Sequence, residues 1–571
     1  MKKLLFILML PLISCTSKAQ TNIISTNSSV LNILKGAYNP TQYNSQVNTK
    51  EEILIGLKDM VSADTLKKNI ITLAGFKNRN TCSDTLSAIT GIGASRNWVY
   101  RYFQNISAQR SNRLQVSFLQ FDQNITSCPM SRFKNIFCVL PGADTTDKSI
   151  VLVEGHIDTR CEDNFSGTCL AEGVEDNATG TALVMELARV MSMFSYKNTI
   201  VFLVTIGEEQ GLYGAEAFAR YCADNKIKIK AVQNNDVIGG IYCGKTASPP
   251  TACSGATAGS VDSTHVRIFS FGDFTSFHKS YARFAKLEYL EEMMPIEPLP
   301  HMDISIMTTE DRTGRGGDHI PFDGRDFTAI RFTASHEHGD ANSSSPTYTD
   351  RQHSFRDTLG VDKNNDGKID SFYISFTYLK RNTIINGTAL AMAAIGPKMP
   401  EFADSIDNKG IHIRVINPKY LKYKVNLRRK ASNYDLGEVY TFTGGTFTIQ
   451  SVHPDSNYYV SLAAIDDKEI ESIFTAEDEL RYLVAGTNLL KQGGFSVYPN
   501  PSNGSFIVSL GKSESATVLV TDISGREIMS KSLSAAETEI NLPQGAAPGI
   551  YFCHLFKGRQ QIGVRKLSLQ R

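Results

Sequence analysis

The chain has 571 residues, of which 41% are hydrophobic and 20% are charged. This ordinary globular composition provides enough apolar material for a large core and several domains. The 59 Lys and Arg residues are balanced by 58 Asp and Glu residues, which gives a net charge of +1. This balance argues against a nucleic-acid-binding protein and against a protein that binds membranes by its charge.

The first residues are typical of an export signal. A positively charged start precedes an apolar run at 4–13 that is too short to span a bilayer. Two cleavage sites compete: one places a lipid on Cys15, and the other follows Ala19 in an ordinary signal-peptidase pattern. We favour the second, which predicts a signal peptide at 1–19. No later segment is apolar enough to predict a transmembrane helix.

Ten cysteines in an exported chain favour disulfide bonds. Cys161 with Cys169 and Cys243 with Cys253 are pairs close in sequence, and both spacings fit a disulfide that closes a small loop. Cys138 lies in a strand-like apolar segment and is a candidate for a buried free thiol. None of the pairs has the spacing of a zinc ribbon.

Residues 20–48 are rich in Asn, Ser and Thr and show little periodicity, so we expect a flexible lead-in. Helical spacing of apolar residues begins near Glu51. From there the patterns of helices and strands alternate as far as a final helix at about 378–394. This order predicts an α/β domain over 49–399 with a central, mostly parallel sheet.

Within that domain, three segments predict the elements that matter most. The continuous apolar runs at 149–153 and 199–206 are typical of buried parallel strands. Between them, 181–193 carries its apolar residues on one helical face. After this domain, short alternating strands and turn residues predict two small all-β modules, at 405–485 and 493–571.

Acidic and histidine residues follow the predicted strands where each strand ends. His156 and Asp158 come directly after the first strand and are two residues apart, so both side chains point the same way and Asp158 can orient a metal-binding His156. Asp176 lies in a loop before the predicted helix. Glu208 and Glu209 follow the second strand, and adjacent acids point in different directions, so one can bind a metal while the other faces a metal-bound water.

A further acid, Asp236, lies in an apolar context. Taken singly, each of these residues has a structural explanation, since Asp caps helices and paired Glu residues are usually at the surface. Taken together, their order and their positions at strand ends predict a metal site at the carboxyl edge of the sheet.

These motifs resemble the bacterial dizinc aminopeptidases, which share a fold with glutamate carboxypeptidases and glutaminyl cyclases. The similarity covers about 50–398 and rests on the segments GHIDTR, EDNATGTALVMELARV, TIGEEQGLYGAEAF, NNDVIGG and GDHIPF. It implies the three-layer zinc-exopeptidase fold. It also implies roles for five residues: His156 and Asp236 as terminal ligands, Asp176 as the bridge between two Zn²⁺ ions, Glu209 as ligand of the second ion and Glu208 as general base.

The resemblance implies a fifth ligand, a histidine in a His-Thr-x-x-Asp-like segment. Residues 352–358 (QHSFRDT) fit this segment, so we predict His353, with His336 and His338 as competitors. His319 in GDHIPF is expected to line the site or position substrate. The loop between Asp158 and Asp176 is longer than the family pattern, and 241–315 cannot be aligned, so the side-chain specificity cannot be predicted.

The expected chemistry is amide hydrolysis. Two zinc ions can lower the pKa of a shared water and polarise the scissile carbonyl, and a free carboxylate must then move the proton to the leaving amine. The family implies that substrate is held by its free amine, which makes the enzyme an exopeptidase acting on peptides or proteins. Alternatives are carboxypeptidase or glutaminyl cyclase chemistry on the same scaffold, and a non-catalytic surface binding protein.

The segment at 362–370 resembles a calcium-binding loop. Asp362, Asn364, Asp366 and Asp370 occupy ligand positions of a calcium-loop pattern, although its usual final Glu is replaced by Tyr373. A structural Ca²⁺ site and a plain acidic turn both fit this segment.

The C-terminal region, with VYPNPSNG, VTDISGR and PGIYF, resembles the type A sorting domain of the type IX secretion system. This resemblance implies contact with the secretion machinery and a location outside the cell or on its surface. Such cargo usually reaches the periplasm as a soluble protein, which is why we favour cleavage after Ala19. The module at 405–485 resembles a fibronectin type III domain.

Overall fold

The computed structural model describes residues 20–43, 46–144, 146–242, 260–311, 316–335, 337, 351–429, 434–450, 452–453, 456–482, 495–510, 513, 515–558 and 560–570. The predicted signal peptide and the Cys243–Cys253 pair lie outside these residues. The chain divides into two compact units. The first comprises Met1–Ser405, His412–Thr448 and Asn457–Leu480, and the second comprises Ile406–Ile411, Ile449–Ser456 and Arg481–Arg571.

The main sheet of the first unit contains nine strands among the described residues. They are β1 (Thr21–Ser25), β2 (Gln115–Asp122), β3 (Arg132–Leu140), β4 (Ile150–His156), β5 (Thr199–Thr205), β6 (Ile229–Asn235), β7 (His265–Ser270), β8 (Asp303–Ile306) and β9 (Ala329–Ala334). Their order in the sheet is β1-β2-β3-β5-β4-β6-β9-β7-β8. The strands β5, β4, β6 and β9 are parallel neighbours, whereas β1, β2 and β3 join antiparallel.

Helices cover this sheet. They are α1 (Ser28–Leu34), α2 (Lys50–Met60), α3 (Ala63–Gly75), α4 (Gly91–Gln109), α5 (Thr179–Met191), α6 (Tyr213–Asp224), α7 (Phe277–Glu288), α8 (Ile320–Asp323) and α9 (Phe376–Ile395). The predicted α/β fold is therefore confirmed, with more antiparallel pairing than expected.

The elements that were predicted best from the sequence are buried on all sides. Every residue of β4 and β5 is buried, and so is nearly all of α5, which packs on β4 together with α9. A strand buried on both faces reads as a continuous apolar run, and this is why these strands could be located from sequence. Their burial also makes the edge where they end a rigid base for a site.

The expectation of a flexible lead-in at 20–48 is wrong. Residues of β1 pair antiparallel with β2 at the edge of the main sheet, and α1 buries Val30, Ile33 and Leu34. The Asn and Ser residues that suggested flexibility act locally instead. Asn27 caps α1 by accepting a hydrogen bond from the N–H of Ser29 at 3.1 Å.

A second group of strands follows the main sheet. The pair β10 (Gly360–Val361) and β11 (Ser371–Phe372) encloses the predicted calcium loop. The later strands are β12 (Glu401–Asp407), β13 (Gly410–Ile416), β14 (Lys422–Arg428), β15 (Glu438–Thr443), β16 (Thr446–Ile449), β17 (Asn457–Ile465) and β18 (Asp478–Arg481). Of these, β14 pairs antiparallel with both β15 and β17.

Most of the expected separate module at 405–485 belongs to the same compact unit as the main sheet. Residues Ala463, Ile470, Ile473 and Phe474 join the core of that unit. The fully buried Glu477 carboxylate lies 2.6 Å from Nη2 of Arg428 on β14 and 3.6 Å from Nη1 of Arg283 on α7. These shared contacts tie the β-strands to the α/β domain, and a sequence pattern of short strands cannot show such a junction.

The second unit contains a small β-sandwich with its own core. Its strands are β19 (Ser496–Tyr498), β20 (Ser505–Ser509), β21 (Ala516–Asp522), β22 (Glu527–Leu533), β23 (Glu537–Asn541), β24 (Gly549–Lys557) and β25 (Gln560–Leu569). They form two sheets, β19-β20-β23 and β22-β21-β24-β25. Among the described helices of the chain, none combines the length and apolar character that crossing a membrane requires.

Candidate metal centre

The candidate site lies at the edge of the sheet where β4, β5 and β6 end. Strand β4 ends with His156, Glu208 and Glu209 follow β5, and Asp236 follows β6. Because these strands are parallel neighbours, their carboxyl ends meet at one edge. Asp176 reaches the same edge from the turn that precedes α5.

His156, Asp176 and Asp236 form a first group of donor side chains. The Nε2 atom of His156 lies 3.2 Å from Oδ1 of Asp176 and 3.2 Å from Oδ1 of Asp236. All three residues are buried, and their donor atoms lie within 4.8 Å of one another. An imidazole and two carboxylates at this spacing have the chemistry and the separation of ligands around one metal ion.

Asp176, Glu209 and His353 form a second group with the same spacing. The Nε2 atom of His353 lies 3.1 Å from Oδ2 of Asp176 and 3.3 Å from Oε2 of Glu209. The other carboxylate oxygen of Glu209 is buried and has no hydrogen-bond partner among the described residues. Asp176 belongs to both groups and presents a different oxygen to each, so it lies between two adjacent cation-sized clusters.

Asp158 contacts residues of both donor groups, through its carboxylate on one side and its backbone carbonyl on the other. Its buried carboxylate accepts hydrogen bonds from the N–H groups of Glu208 at 3.3 Å and Glu209 at 3.2 Å. Its backbone carbonyl lies 3.0 Å from Nδ1 of His156, so it can orient that ring and leave Nε2 to face the centre.

Asp357 is a supporting residue that the sequence analysis did not assign. Its buried carboxylate accepts hydrogen bonds from the N–H groups of Glu175 and Asp176, both at 2.9 Å. Burial raises the pKa of Asp357, and the nearby Glu175 carboxylate raises it further. The segment that indicated His353 contains this aspartate, so the signal was present without a structural role attached to it.

Arg331 is a second residue that sequence reasoning missed. This fully buried guanidinium lies 2.9 Å from Oδ2 of Asp236 and 3.0 Å from Oε1 of Glu337. Burial alone would raise the pKa of Asp236, but Arg331 and His156 outweigh it and hold the pKa at about 2. Asp236 is therefore ionised, with one oxygen on Arg331 and the other facing His156.

The two adjacent glutamates occupy a strongly acidic site. Burial raises the pKa of both Glu208 and Glu209, and the Asp236 carboxylate adds to the effect at Glu208 as Asp176 does at Glu209. Burial disfavours the protonated form of His156, but the surrounding Glu208, Asp176 and Asp236 raise its pKa well above the usual range. Repelling carboxylates gathered in this way are stabilised by cations.

In the GDHIPF segment, the residue that faces the site is Asp318. Its buried carboxylate accepts a hydrogen bond from the Thr205 hydroxyl at the end of β5, and burial raises its pKa to about 7. The neighbouring His319 is also buried, with Nε2 3.1 Å from the carbonyl of Glu310, and it belongs to neither donor group. The competitors His336 and His338 lie outside the described residues.

The predicted calcium loop adopts a compact acidic turn. Asp362 accepts hydrogen bonds from the N–H groups of Asp366 at 3.2 Å and Gly367 at 2.8 Å, and Asp370 accepts one from Lys363 at 2.7 Å. Its three aspartates do not converge as the two donor groups do. The predicted Cys161–Cys169 disulfide is present, and a second disulfide, which was not predicted from the sequence, joins Cys82 to Cys128. Cys138 is a buried free thiol, which was the alternative to a disulfide bond for this residue.

Comparison with known proteins finds two matching family models in this chain. Residues 135–252 match the model of peptidase family M28, and residues 496–570 match the secretion system C-terminal sorting domain. A probable zinc metalloprotease of Leptosphaeria maculans is 29% identical over 297 residues, which cover 51% of this chain and 67% of the relative. One of Phaeosphaeria nodorum is 30% identical over 50% of this chain and 61% of the relative.

Solved structures with a similar chain course include the LapA aminopeptidase of Legionella pneumophila, at 16% identity and a TM-score of 0.43 over 62% of this chain and 76% of LapA. Another is the glutaminyl cyclase of Porphyromonas gingivalis, at 15% identity and a TM-score of 0.37 over 58% and 98% of the two chains. The chain spans roughly three fifths to two thirds of the length of the first curated relatives.

The sorting domain indicates secretion or attachment to the cell surface, as the sequence predicted. The segment that matches family M28 contains His156, Asp176, Glu208, Glu209 and Asp236. The chain therefore matches peptidase family M28 over residues 135–252 and a secretion system C-terminal sorting domain over residues 496–570.

Proposed function

We propose that this protein is a secreted zinc exopeptidase, and specifically an aminopeptidase that removes residues from the N-terminus of peptides or proteins. The observation that carries the proposal is the pair of donor groups that share Asp176. The match of residues 135–252 to family M28 and the names of its relatives, which are probable zinc metalloproteases, support the same class of chemistry.

The residues fit two zinc ions. Each group combines one imidazole with two carboxylates, a donor set that suits zinc and supplies three of the four ligands that zinc usually takes. The buried Glu209 oxygen without a hydrogen-bond partner among the described residues is explained by a cation at that position. When bound, such a pair of ions would lower the pKa of a water molecule and polarise the scissile carbonyl.

The protein's own groups supply the proton transfer. Glu208 belongs to neither donor group, and its backbone is fixed together with that of Glu209 because the Asp158 carboxylate accepts hydrogen bonds from both N–H groups. Burial and the Asp236 carboxylate raise its pKa, a direction that favours acceptance of a proton. Its carboxylate can accept a proton from the attacking water and return it to the leaving amine. The nearby Asp318 carboxylate also raises the pKa of Glu208.

The remaining parts of the chain have supporting roles. We assign the sorting domain the task of engaging the secretion machinery, because residues 496–570 match such a domain. For the loop at 362–370 we propose that Asp362, Asn364, Asp366 and Asp370 move together to bind a structural Ca²⁺ ion, since the three aspartates do not converge in this structure. Elemental analysis of the purified protein would count both zinc and calcium. A protein without bound calcium would show that the segment is only an acidic turn.

Substrate choice tests the aminopeptidase assignment. The purified protein should hydrolyse aminoacyl-anilides and C-blocked peptides with a free amine, and should leave N-blocked peptides intact. Chelation should abolish this activity, and added zinc should restore it. Cleavage only of N-blocked peptides with a free carboxylate would establish a carboxypeptidase instead. Release of ammonia from N-terminal glutamine without peptide cleavage would establish a cyclase, and no turnover of any of these substrates would indicate a binding protein.

A further inference from the structure

The long loop between Asp158 and Asp176 contacts both segments that carry the second donor group. It is closed by the Cys161–Cys169 disulfide, and Cys161 is buried. The Nδ2 atom of Asn164, at the centre of the loop, donates a hydrogen bond to the backbone carbonyl of Glu209 at 2.8 Å. The Nε2 atom of Gln210 donates to the backbone carbonyl of Asn164 at 2.9 Å. Asn164 therefore donates a hydrogen bond to Glu209 and accepts one from Gln210, so the loop is bonded to both residues that follow Glu208.

The same loop reaches the His353 segment. The backbone N–H of Phe355, two residues after His353, donates a hydrogen bond to Oε2 of Glu162 at 3.3 Å. His353 itself has a left-handed backbone with φ of 61°. Residues other than glycine adopt this conformation uncommonly, so contacts on the neighbouring residues help to fix the direction of the imidazole.

The loop is in turn fastened to the body of the domain. Asn80 donates to the backbone carbonyl of Asn164 at 2.9 Å and to that of Thr159 at 3.1 Å. Asn78 donates to the carbonyl of Cys169 at 2.6 Å. At Gly167 a Cβ atom would lie 2.7 Å from the carbonyl oxygen of Cys82, so only glycine permits this close approach. The loop is therefore a fixed element rather than an open excursion of the chain.

The contacts of the loop favour one side of the metal centre. The peptide groups around Glu209 are held at two points, its N–H by Asp158 at 3.2 Å and its carbonyl by Asn164 at 2.8 Å. Glu208 shares the Asp158 contact. By contrast, His156 and Asp236 are held by β4, by the Asp158 carbonyl and by Arg331. Loss of the loop contacts should therefore disturb Glu209 and His353 and spare His156 and Asp236.

We propose that the loop closed by Cys161 and Cys169 braces the Glu209 and His353 half of the metal centre, with Asn164 as its positioning residue. The inference rests on the proposed function, because it assumes that the two donor groups bind metal. Outer contacts that orient metal ligands typically change metal affinity by about 10–100-fold. A change of that size in one half would leave the protein with a single firmly bound ion.

The test compares three variants with the wild-type chain. Asn164→Ala removes the contact to Glu209 and leaves the disulfide intact, and the double variant Cys161→Ser, Cys169→Ser opens the loop. Asn198→Ala is the matched control, because this buried asparagine also holds backbone carbonyls, those of Ser149 at 3.1 Å and Asp147 at 3.3 Å, but at the opposite end of β5. Zinc bound per chain and the affinity of each ion are measured by chelator competition, and thermal stability is recorded alongside.

We expect both loop variants to retain one ion at wild-type affinity and to bind the other roughly 10–100-fold more weakly. Asn198→Ala should lose stability and keep both ions. If Asn164→Ala binds both ions with wild-type affinity, the proposal that the loop positions Glu209 and His353 is wrong, even if the double cysteine variant fails to fold. Equal weakening of both ions would also overturn it. A wild-type chain that binds no zinc would instead refute the proposed function on which the brace depends.

Discussion

Replacement of Glu208 by glutamine is expected to reduce the hydrolysis rate by at least roughly 10²–10⁴-fold, the usual cost of losing a general base. Glutamine keeps the size of the side chain and cannot accept the proton. Zinc content should stay near the wild-type value, because neither donor group includes Glu208. The KM should change little, since the lost interaction acts mainly in the transition state. Steady-state kinetics on an aminoacyl-anilide and metal analysis of the same sample measure both effects.

Glu209→Gln is the matched control, since it makes the same chemical change one residue away. The Glu209 carboxylate lies 3.3 Å from Nε2 of His353 in the second donor group, so this variant should lose metal and activity together. If Glu208→Gln stays active, or if it loses zinc while Glu209→Gln keeps it, the division of roles between the two glutamates is wrong.

Replacement of Asp176 by alanine should have the largest effect of any single change in the site. Asp176 presents Oδ1 to His156 and Oδ2 to His353, so its loss removes a ligand from both groups. We expect zinc content to fall from two ions to fewer than one per chain, and the enzyme to lose most of the roughly 10⁶-fold or greater acceleration that enzymes supply. Inductively coupled plasma mass spectrometry and progress curves at high enzyme concentration measure these losses.

Two single-ligand variants provide the comparison for Asp176. His156→Ala and His353→Ala each remove a ligand from one group only, so each should lower the affinity for one ion more than for the other. An Asp176→Ala protein that retains two tightly bound ions would show that this carboxylate is not shared between them.

The part of the site that could be predicted from sequence is the part built on buried strands. Continuous apolar runs located β4 and β5, and the residues after them had to lie at one edge of the sheet. Asp176 was identifiable because it precedes an apolar helix. His353 follows no strand and lies far along the chain from the other residues, so only the resemblance to a family indicated it.

The residues that sequence reasoning missed act through long-range contacts that leave no local pattern. Arg331 belongs to β9 and reaches Asp236, and Asp357 reaches the backbone before α5. Nothing in their immediate neighbours distinguishes them from ordinary buried or capping residues. Strand β1 escaped prediction for a similar reason, because an edge strand of five residues derives its stability from pairing with β2 rather than from its own composition.

The number of zinc ions bound to the folded wild-type chain tests the central claim most directly. Two donor groups that share Asp176 predict two ions per chain, besides any calcium, and activity that returns only as the second ion is restored after chelation. Elemental analysis of protein freed of loosely bound metal, together with activity during zinc titration, measures both quantities. One firmly bound zinc per chain with full activity would contradict the account, and would show that the second donor group does not hold a catalytic ion.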